Sequence, residues 1–284
     1  MKMKTSSLKF PAFALGMTLL LLGTACDKPT DVSAAMGTST NGTGAPGTVP
    51  TPKDAPTTRG LTSDTGKKTG EGAATTGDTS QPSDMPPPGM PLSSVPADLQ
   101  TEAYHYYGLD RAEPEKLVLK RKDQPDSTGT QYVRLTKVGD MVATFEATRT
   151  GDLSLLGSET LELRKDGIYG VAMSTGTISR PSMELPSNPT PGRIWPADEE
   201  VSTGTDKLSI KGTYKVLGTE KVHTVAGDLD ALHVHMDAQF KSGSQQGTMK
   251  EDAWYVKGYG AVKLSIVQKP KSGAEQTMSV ELAK

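Results

Sequence analysis

Four stretches between Lys207 and Leu282 alternate apolar and polar residues almost one for one, and this limits the fold more than any other feature. Leu208, Ile210, Tyr214 and Val216 share one parity against Lys207, Ser209, Lys211, Thr213 and Lys215. Leu232, Val234, Met236, Ala238 and Phe240 repeat the pattern against His233, His235, Asp237 and Gln239. Val262, Leu264 and Ile266 continue it, as do Met278, Val280 and Leu282. Period-two alternation puts successive side chains on opposite faces, so these are antiparallel strands with one wet face. The same habit recurs less cleanly over 116–122, 131–138, 141–148, 152–165 and 168–174, with turn signals at Val138-Gly139-Asp140, Thr150-Gly151-Asp152 and Lys165-Asp166-Gly167. Almost no helical period separates the strands, which excludes a parallel βαβ arrangement. A sheet with one apolar face must cover it, by curling on itself or by packing against a second sheet. The expected fold is mainly β, a strongly curved, half-barrel-like antiparallel sheet with few short helices; the alternative is a β-sandwich.

Two stretches break the pattern. Residues 97–107 read as a short helix, with Ala, Leu, Gln and Glu in its body and Asp98 as cap. Residues 176–206 hold Pro181, Pro186, Pro189, Pro191 and Pro196 without regular periodicity, and read as a long loop. Trp195 lies within it, either as a core plug at the open end of the sheet or as a lid over a ligand. The Asp198-Glu199-Glu200 run reads as solvating.

Upstream of the strands the chain cannot bury a core. No aromatic residue occurs between Phe13 and Tyr104, and eleven of the twenty prolines fall between Cys26 and Gln100 among Thr, Gly and Ser. Such a stretch buries too little apolar surface to offset roughly 1–2 kcal/mol of backbone entropy per residue. The expected organisation is a leader over 1–25, a disordered linker over 26–99 and a β-rich domain over 100–284. As a coil the linker has a root-mean-square reach of roughly 45–50 Å.

The leader has Lys2, Lys4 and Lys9, an apolar run from Ala12 to Leu22, and small residues Gly23-Thr24-Ala25 before Cys26. The apolar run is short of the ~20 residues of a comfortable membrane span. Small residues followed by a lone cysteine resemble the bacterial lipobox. That resemblance implies cleavage before Cys26, a diacylated Cys26 thiol carrying chains such as palmitate, and a location in the bacterial cell envelope, anchored to a membrane on its extracytoplasmic side. Cys26 is the chain's only cysteine, so the domain has neither an internal disulfide nor thiolate chemistry.

Chemical motifs are sparse. A net charge of −2 without basic runs gives no footprint for nucleic acid. No nucleophile elbow, His-Glu-x-x-His, phosphate-binding loop or dinucleotide fingerprint occurs, and the expectation is a non-enzymatic protein with no cofactor. The apolar parity of Leu208, Ile210, Leu232, Val234, Met236, Phe240, Val262, Leu264 and Ile266 would line the concave face. There Leu232, Val234, Met236 and Phe240, with Trp195 and Trp254, are candidate contacts for a lipid-like ligand or an envelope protein. His233, His235 and Asp237 share the opposite parity of one strand, ~6.5–7 Å apart. With His223 on the neighbouring strand they form a candidate zinc or copper site; the alternative is an ordinary wet face. A purely structural role in the envelope fits the sequence as well.

One longer pattern has a family likeness. Leu185-Pro186, Pro191-Gly192 and Trp195 are followed by Glu220-Lys221-Val222-His223-Thr224-Val225-Ala226-Gly227, then by Trp254-Tyr255-Val256-Lys257-Gly258-Tyr259-Gly260-Ala261-Val262-Lys263. This resembles a group of uncharacterised bacterial envelope lipoproteins with a G-x-x-W entry, a V-x-T-P-A-G hairpin and a W-Y-x-x-G-x-G-x-V-K signature. Val225 departs from it, standing where the pattern has proline. The resemblance implies a curved sheet similar to those of the lipoprotein carriers LolA and LolB. Read physically, the motif is a hairpin code. Ala226-Gly227-Asp228 supplies a positive-φ turn, Gly258 and Gly260 a tight reversal, and only one of Trp254 and Tyr255 can face the core.

Overall fold

The computed structural model describes residues 86–284, Thr205 excepted; the expected leader, Cys26 and most of the expected linker lie outside the described residues. Thirteen strands follow one short helix, α1 (Glu102–Tyr106). They are β1 (Glu115–Arg121), β2 (Ser127–Val138), β3 (Val142–Gly151), β4 (Glu159–Arg164), β5 (Gly167–Met173), β6 (Thr177–Arg180), β7 (Ser182–Pro186), β8 (Ile194–Thr203), β9 (Asp206–Thr224), β10 (Gly227–Ser242), β11 (Gln245–Val256), β12 (Gly260–Pro270) and β13 (Gln276–Leu282).

All thirteen form one antiparallel sheet in the order β6-β8-β9-β10-β11-β12-β13-β1-β2-β3-β4-β5-β7, curled into a nearly closed barrel. The curved sheet is the fold expected from the alternation, and its continuity rules out the sandwich. β13 and β1, in register from Leu117↔Leu282 to Arg121↔Met278, join the two halves of the domain.

The two ends of this order, β6 and β7, are consecutive in the chain and separated by Pro181 alone. A single run of chain pairs with β8, turns at Pro181, and then pairs with β5. The seam is thus closed by the chain itself. Across it the Trp195 indole Nε1 of β8 donates to the Met183 carbonyl of β7 at 2.9 Å.

This corrects the reading of 176–206 as a loop, since β6, β7 and β8 lie inside it. Its prolines occupy places a sheet tolerates. Pro181 is the switch between strands, and Pro186 ends β7. Pro196 faces Thr213 of β9 on one side, and β6 pairs with β8 only from Glu200 onward. One side of Pro196 therefore has no ladder that would need its N–H.

Closing a barrel demands tight bends. A Cβ on Gly212 would stand 2.1 Å from the Asp237 carbonyl oxygen, so only glycine lets β9 lie this close to β10. The apolar parities meet inside as one core that includes Leu119, Leu135, Phe145, Leu163, Ile168, Ile210, Val234, Met236, Leu264 and Val280. Each such side chain contributes about 1.5–3 kcal/mol relative to exposure.

One end of the barrel is covered by α1 and its flanks. Ala103, Tyr104, Tyr107 and Leu109 are buried; Ala103 N–H donates to Ser187 O at 3.1 Å, and Gly258 N–H donates to His105 O at 2.8 Å. Tyr104 packs on Phe145 at 6.4 Å between ring centroids. The helix is shorter than expected, a single turn preceded by a 3-10 turn at Ala97–Leu99. Val95 and Leu99, assigned to the linker from sequence, are buried in the core, so packing starts before Gln100.

Candidate functional site

Strand register turns the outer face of β9–β12 into a grid. Reading from β9 to β12, one row is Lys211, Gln239, Thr248 and Lys269; the next is Thr213, Asp237, Lys250 and Val267; the next is Lys215, His235, Asp252 and Ser265. The row beyond carries His233, Trp254 and Lys263, with Gly218 at a bulge on β9. Most of these side chains are polar, and those on β9 and β10 are the ones alternation placed on the wet side.

At the end of this face near the β11–β12 turn the side chains form a connected chain. Glu220 Oε1 faces His233 Nδ1 at 3.1 Å, and His233 Nε2 faces Asp252 Oδ1 at 2.7 Å. The same Asp252 oxygen faces His235 Nδ1 at 2.8 Å, and His235 Nε2 faces Asp237 Oδ2 at 3.1 Å. Trp254 stacks on His233 with centroids 4.6 Å apart and donates from Nε1 to Glu220 Oε1 at 2.7 Å. Five side chains from three strands therefore run carboxylate, imidazole, carboxylate, imidazole, carboxylate. Carboxylates only accept, so an imidazole facing them at both nitrogens fills both hydrogen bonds only with two protons. At the far end burial pushes the Asp237 carboxyl up, but hydrogen bonds from His235 and Lys250 outweigh this and hold it below the usual range.

The structure separates the candidate metal ligands. His233 and His235 share Asp252, whereas His223 sits near the hairpin tip with Nδ1 on Asp228 Oδ1 at 2.7 Å and its side chain 84% exposed. Among the described residues no three His, Cys, Asp or Glu side chains stand in position to hold a metal ion. Every ring nitrogen of His233 and His235 already faces a carboxylate.

The apolar candidates divide as well. Leu232, Val234, Met236 and Phe240 are at most 3% exposed and belong to the continuous core. Trp195 is also core: it stacks on Tyr214 at 5.3 Å and ties the seam, so it is no lid. Trp254 lies on the outer face while its neighbour Tyr255 is buried, as the alternation requires.

Sequence reasoning missed a second polar set, inside the barrel. Glu159 (β4), Glu184 (β7), Glu199 (β8) and Glu251 (β11) are all buried, with Tyr107, Tyr214 and Tyr255 among them. Arg149 reaches into this set, its Nη2 3.6 Å from Glu159 Oε2, while its Nε donates to Gln131 Oε1 at 2.9 Å. Burial, then the Glu159 charge, pushes the Glu199 carboxyl up to about 8. Burial, then the charges of Glu199 and Asp252, does the same for Glu251, also to about 8. Burial carries Glu115, at the Arg111 and Gln131 end of this polar core, up to about 7 against the pull of both partners. The three tyrosines are raised well above their ordinary value, first by burial and then by the surrounding glutamates. Burial thus favours the neutral form of Glu199 and Glu251 at pH 7. Glu199 overturns the solvating reading of its run: Asp198 pairs with Arg180 and Glu200 with Lys207, while Glu199 points inward. The signal was its parity, shared with buried Ala197 and Val201, just as Glu251 shares that of Met249 and Ala253.

Among known proteins, no family model matches the chain, and no curated protein matches it. Three crystal structures are similar in part. A "putative lipoprotein" from Parabacteroides distasonis aligns with a TM-score of 0.41 and 12% identity, over 61% of this chain and 96% of that one. A "putative exported protein with YmcC-like fold" from Bacteroides fragilis gives 0.35 and 12%, over 61% and 96%. The "hypothetical lipoprotein YmcC" from Escherichia coli gives 0.31 and 11%, over 63% and 89%.

Proposed function

We propose that the protein is a lipid-anchored component of a bacterial cell envelope, and that its barrel is a non-enzymatic module that binds an envelope protein on its outer face. The anchor reading rests on the leader and on Cys26 after Gly23-Thr24-Ala25. The binding reading rests on one observation: Trp254 and His233, stacked at 4.6 Å and braced by Glu220 and Asp252, form a pre-organised aromatic patch on a face otherwise made mainly of polar side chains. Amphipathic, rotamer-restricted residues of this kind anchor protein interfaces, because little side-chain entropy is lost on contact. An apolar ligand beneath the sheet has less support, because Leu232, Val234, Met236 and Phe240 are already packed.

The test places a photo-crosslinking amino acid at Trp254 in the full chain, expressed in its own envelope, with Thr136 as a control on the exposed outer face of β2. A discrete crosslinked protein specific to position 254 supports the reading, and identical smears at both positions refute it. In the same preparation, intact mass should show acyl chains on Cys26. An unmodified Cys26 refutes the anchor without touching the binding result.

A further inference from the structure

The other end of the β9–β12 face, toward the β10–β11 turn, differs in chemistry. Lys211 and Lys269 end one row, with Gln239 and Thr248 between them. The row below carries Ser209, Lys241 and Gln246, and the Lys271 N–H donates to Gln246 O at 2.8 Å, which fixes that residue beside them. All four lysines are exposed, and among the described residues none has a carboxylate within ion-pair distance. Elsewhere on the barrel several lysines are paired: Lys120 and Lys263 with Glu281, Lys207 with Glu200 and Lys257 with Glu102. Two acids flank this face: Asp198, opposite Lys211 on β8, is paired with Arg180, and Asp237 is engaged by His235 at 3.1 Å and by Lys250 at 3.4 Å. Two concavities of about 510 and 370 Å³ open here and share Gln239 and Thr248; Lys211 and Lys250 line the first, Lys269 and Lys271 the second.

We propose that this lysine face docks on the surface of an anionic phospholipid bilayer. The character of the cations selects this partner. Four ammonium groups on flexible stems, with no arginine fork and no aromatic ring between them, suit a diffuse plane of phosphate charge better than one fixed ligand. The uncharged Gln239, Gln246 and Thr248 between them can hydrogen-bond headgroups. The concavities leave room for headgroups beneath the level of the lysine tips. The inference rests on the anchor reading for where the bilayer is, since a chain tethered at Cys26 holds its barrel within reach of that surface; the attraction itself does not need the anchor. Docked this way, the Trp254 patch on the adjoining part of the same face lies beside the membrane surface.

The test uses the unlipidated chain from Asp27 to Lys284, sedimented with vesicles of equal phosphatidylglycerol and phosphatidylcholine or of phosphatidylcholine alone. Binding to the anionic vesicles only is expected, and it should vanish at about 1 M salt, where the screening length is ~3 Å. Each lysine at such a surface contributes about fivefold to partitioning. Lys211→Gln with Lys269→Gln should therefore weaken binding roughly 25-fold, and Lys241→Glu with Lys269→Glu more, with circular dichroism unchanged in both. Equal binding to both vesicle types, no binding to the anionic vesicles, or an undiminished double variant overturns the proposal. Displacement by millimolar inorganic phosphate also overturns it, by assigning a discrete phosphate site. An acidic envelope protein crosslinked through these lysines, without vesicle binding, reassigns the face to protein. The Trp254 crosslink should survive in the lysine variants, so the two readings fail separately.

Discussion

Replacing Glu251 by glutamine isolates the energetic role of the acids inside the barrel. Glu251 is 2% exposed and its folded-state pKa is about 8, against an ordinary value near 4.5. A carboxyl raised on folding holds its proton more tightly in the native state. Its contribution is complete below pH ~4.5 and is lost as pH rises through the folded value. Between pH 5 and pH 8 the native state therefore binds up to one proton more than the unfolded state at this site. At about 1.4 kcal/mol per pH unit, that is a loss of about 4 kcal/mol across the window. Against a total stability of about 5–15 kcal/mol this is large. Glu199, also raised to about 8, acts in the same direction. With a urea dependence of about 2 kcal/mol per molar, the Glu251 share alone moves the unfolding midpoint by roughly 2 M. The assay is urea unfolding of the wild type and of Glu251→Gln at pH 5, 6, 7 and 8, followed by tryptophan fluorescence. The wild type should weaken steadily toward pH 8 and the variant by about one proton's slope less, whatever the amide does to absolute stability. A wild-type midpoint that is flat from pH 5 to 8, or a variant that keeps the wild-type slope, refutes the reasoning.

Two further perturbations probe closure of the barrel. Trp195→Phe keeps the packing on Tyr214 but deletes the indole donor to Met183 O across the seam. It should cost about 1–3 kcal/mol, because the carbonyl loses its partner, and thermal unfolding will show this as a lowered midpoint. Gly212→Ala puts a methyl 2.1 Å from the Asp237 carbonyl oxygen and 2.5 Å from Ala238 Cα. Backbone cannot yield as a side chain does, so about 3 kcal/mol or more should be lost, read as a lowered urea midpoint or loss of soluble protein.

Legibility followed the wetness of the outer face. β9, β10, β12 and β13 could be read from alternation because their outward positions are largely Lys, Thr, Ser, His, Asp and Gln, whereas β6 to β8 were hidden by prolines that punctuate loops in most sequences. Pro181 and Pro186 lie at strand ends here, and Pro196 sits where β8 has a ladder on one side only. Sequence also placed His233, His235 and Asp237 on one face and Trp254 opposite Tyr255. What it could not supply was cross-strand register, which brings Asp252 and Glu220 to the two imidazoles and leaves His223 opposite Asp228. The buried acids were legible as parity, but a single glutamate on an apolar parity is also what a frayed or edge strand shows. Only the closed sheet decides between those meanings.

The meeting of β1 with β13 also bears on how such a chain folds. Nearly every other ladder joins strands that follow each other directly or skip one, so hairpins on either side can zip locally within microseconds of forming. Joining Leu117 to Leu282 instead encloses everything between them. For an unstructured chain of that length loop-closure scaling gives a cost of about 4–5 kcal/mol of chain entropy, which hairpins formed beforehand reduce by shortening the effective loop. The kinetic barrier is thus concentrated in one ladder at the centre of the sheet. Until it forms, the two meanders are separate sheets whose central edges are open to each other and to any other extended chain nearby.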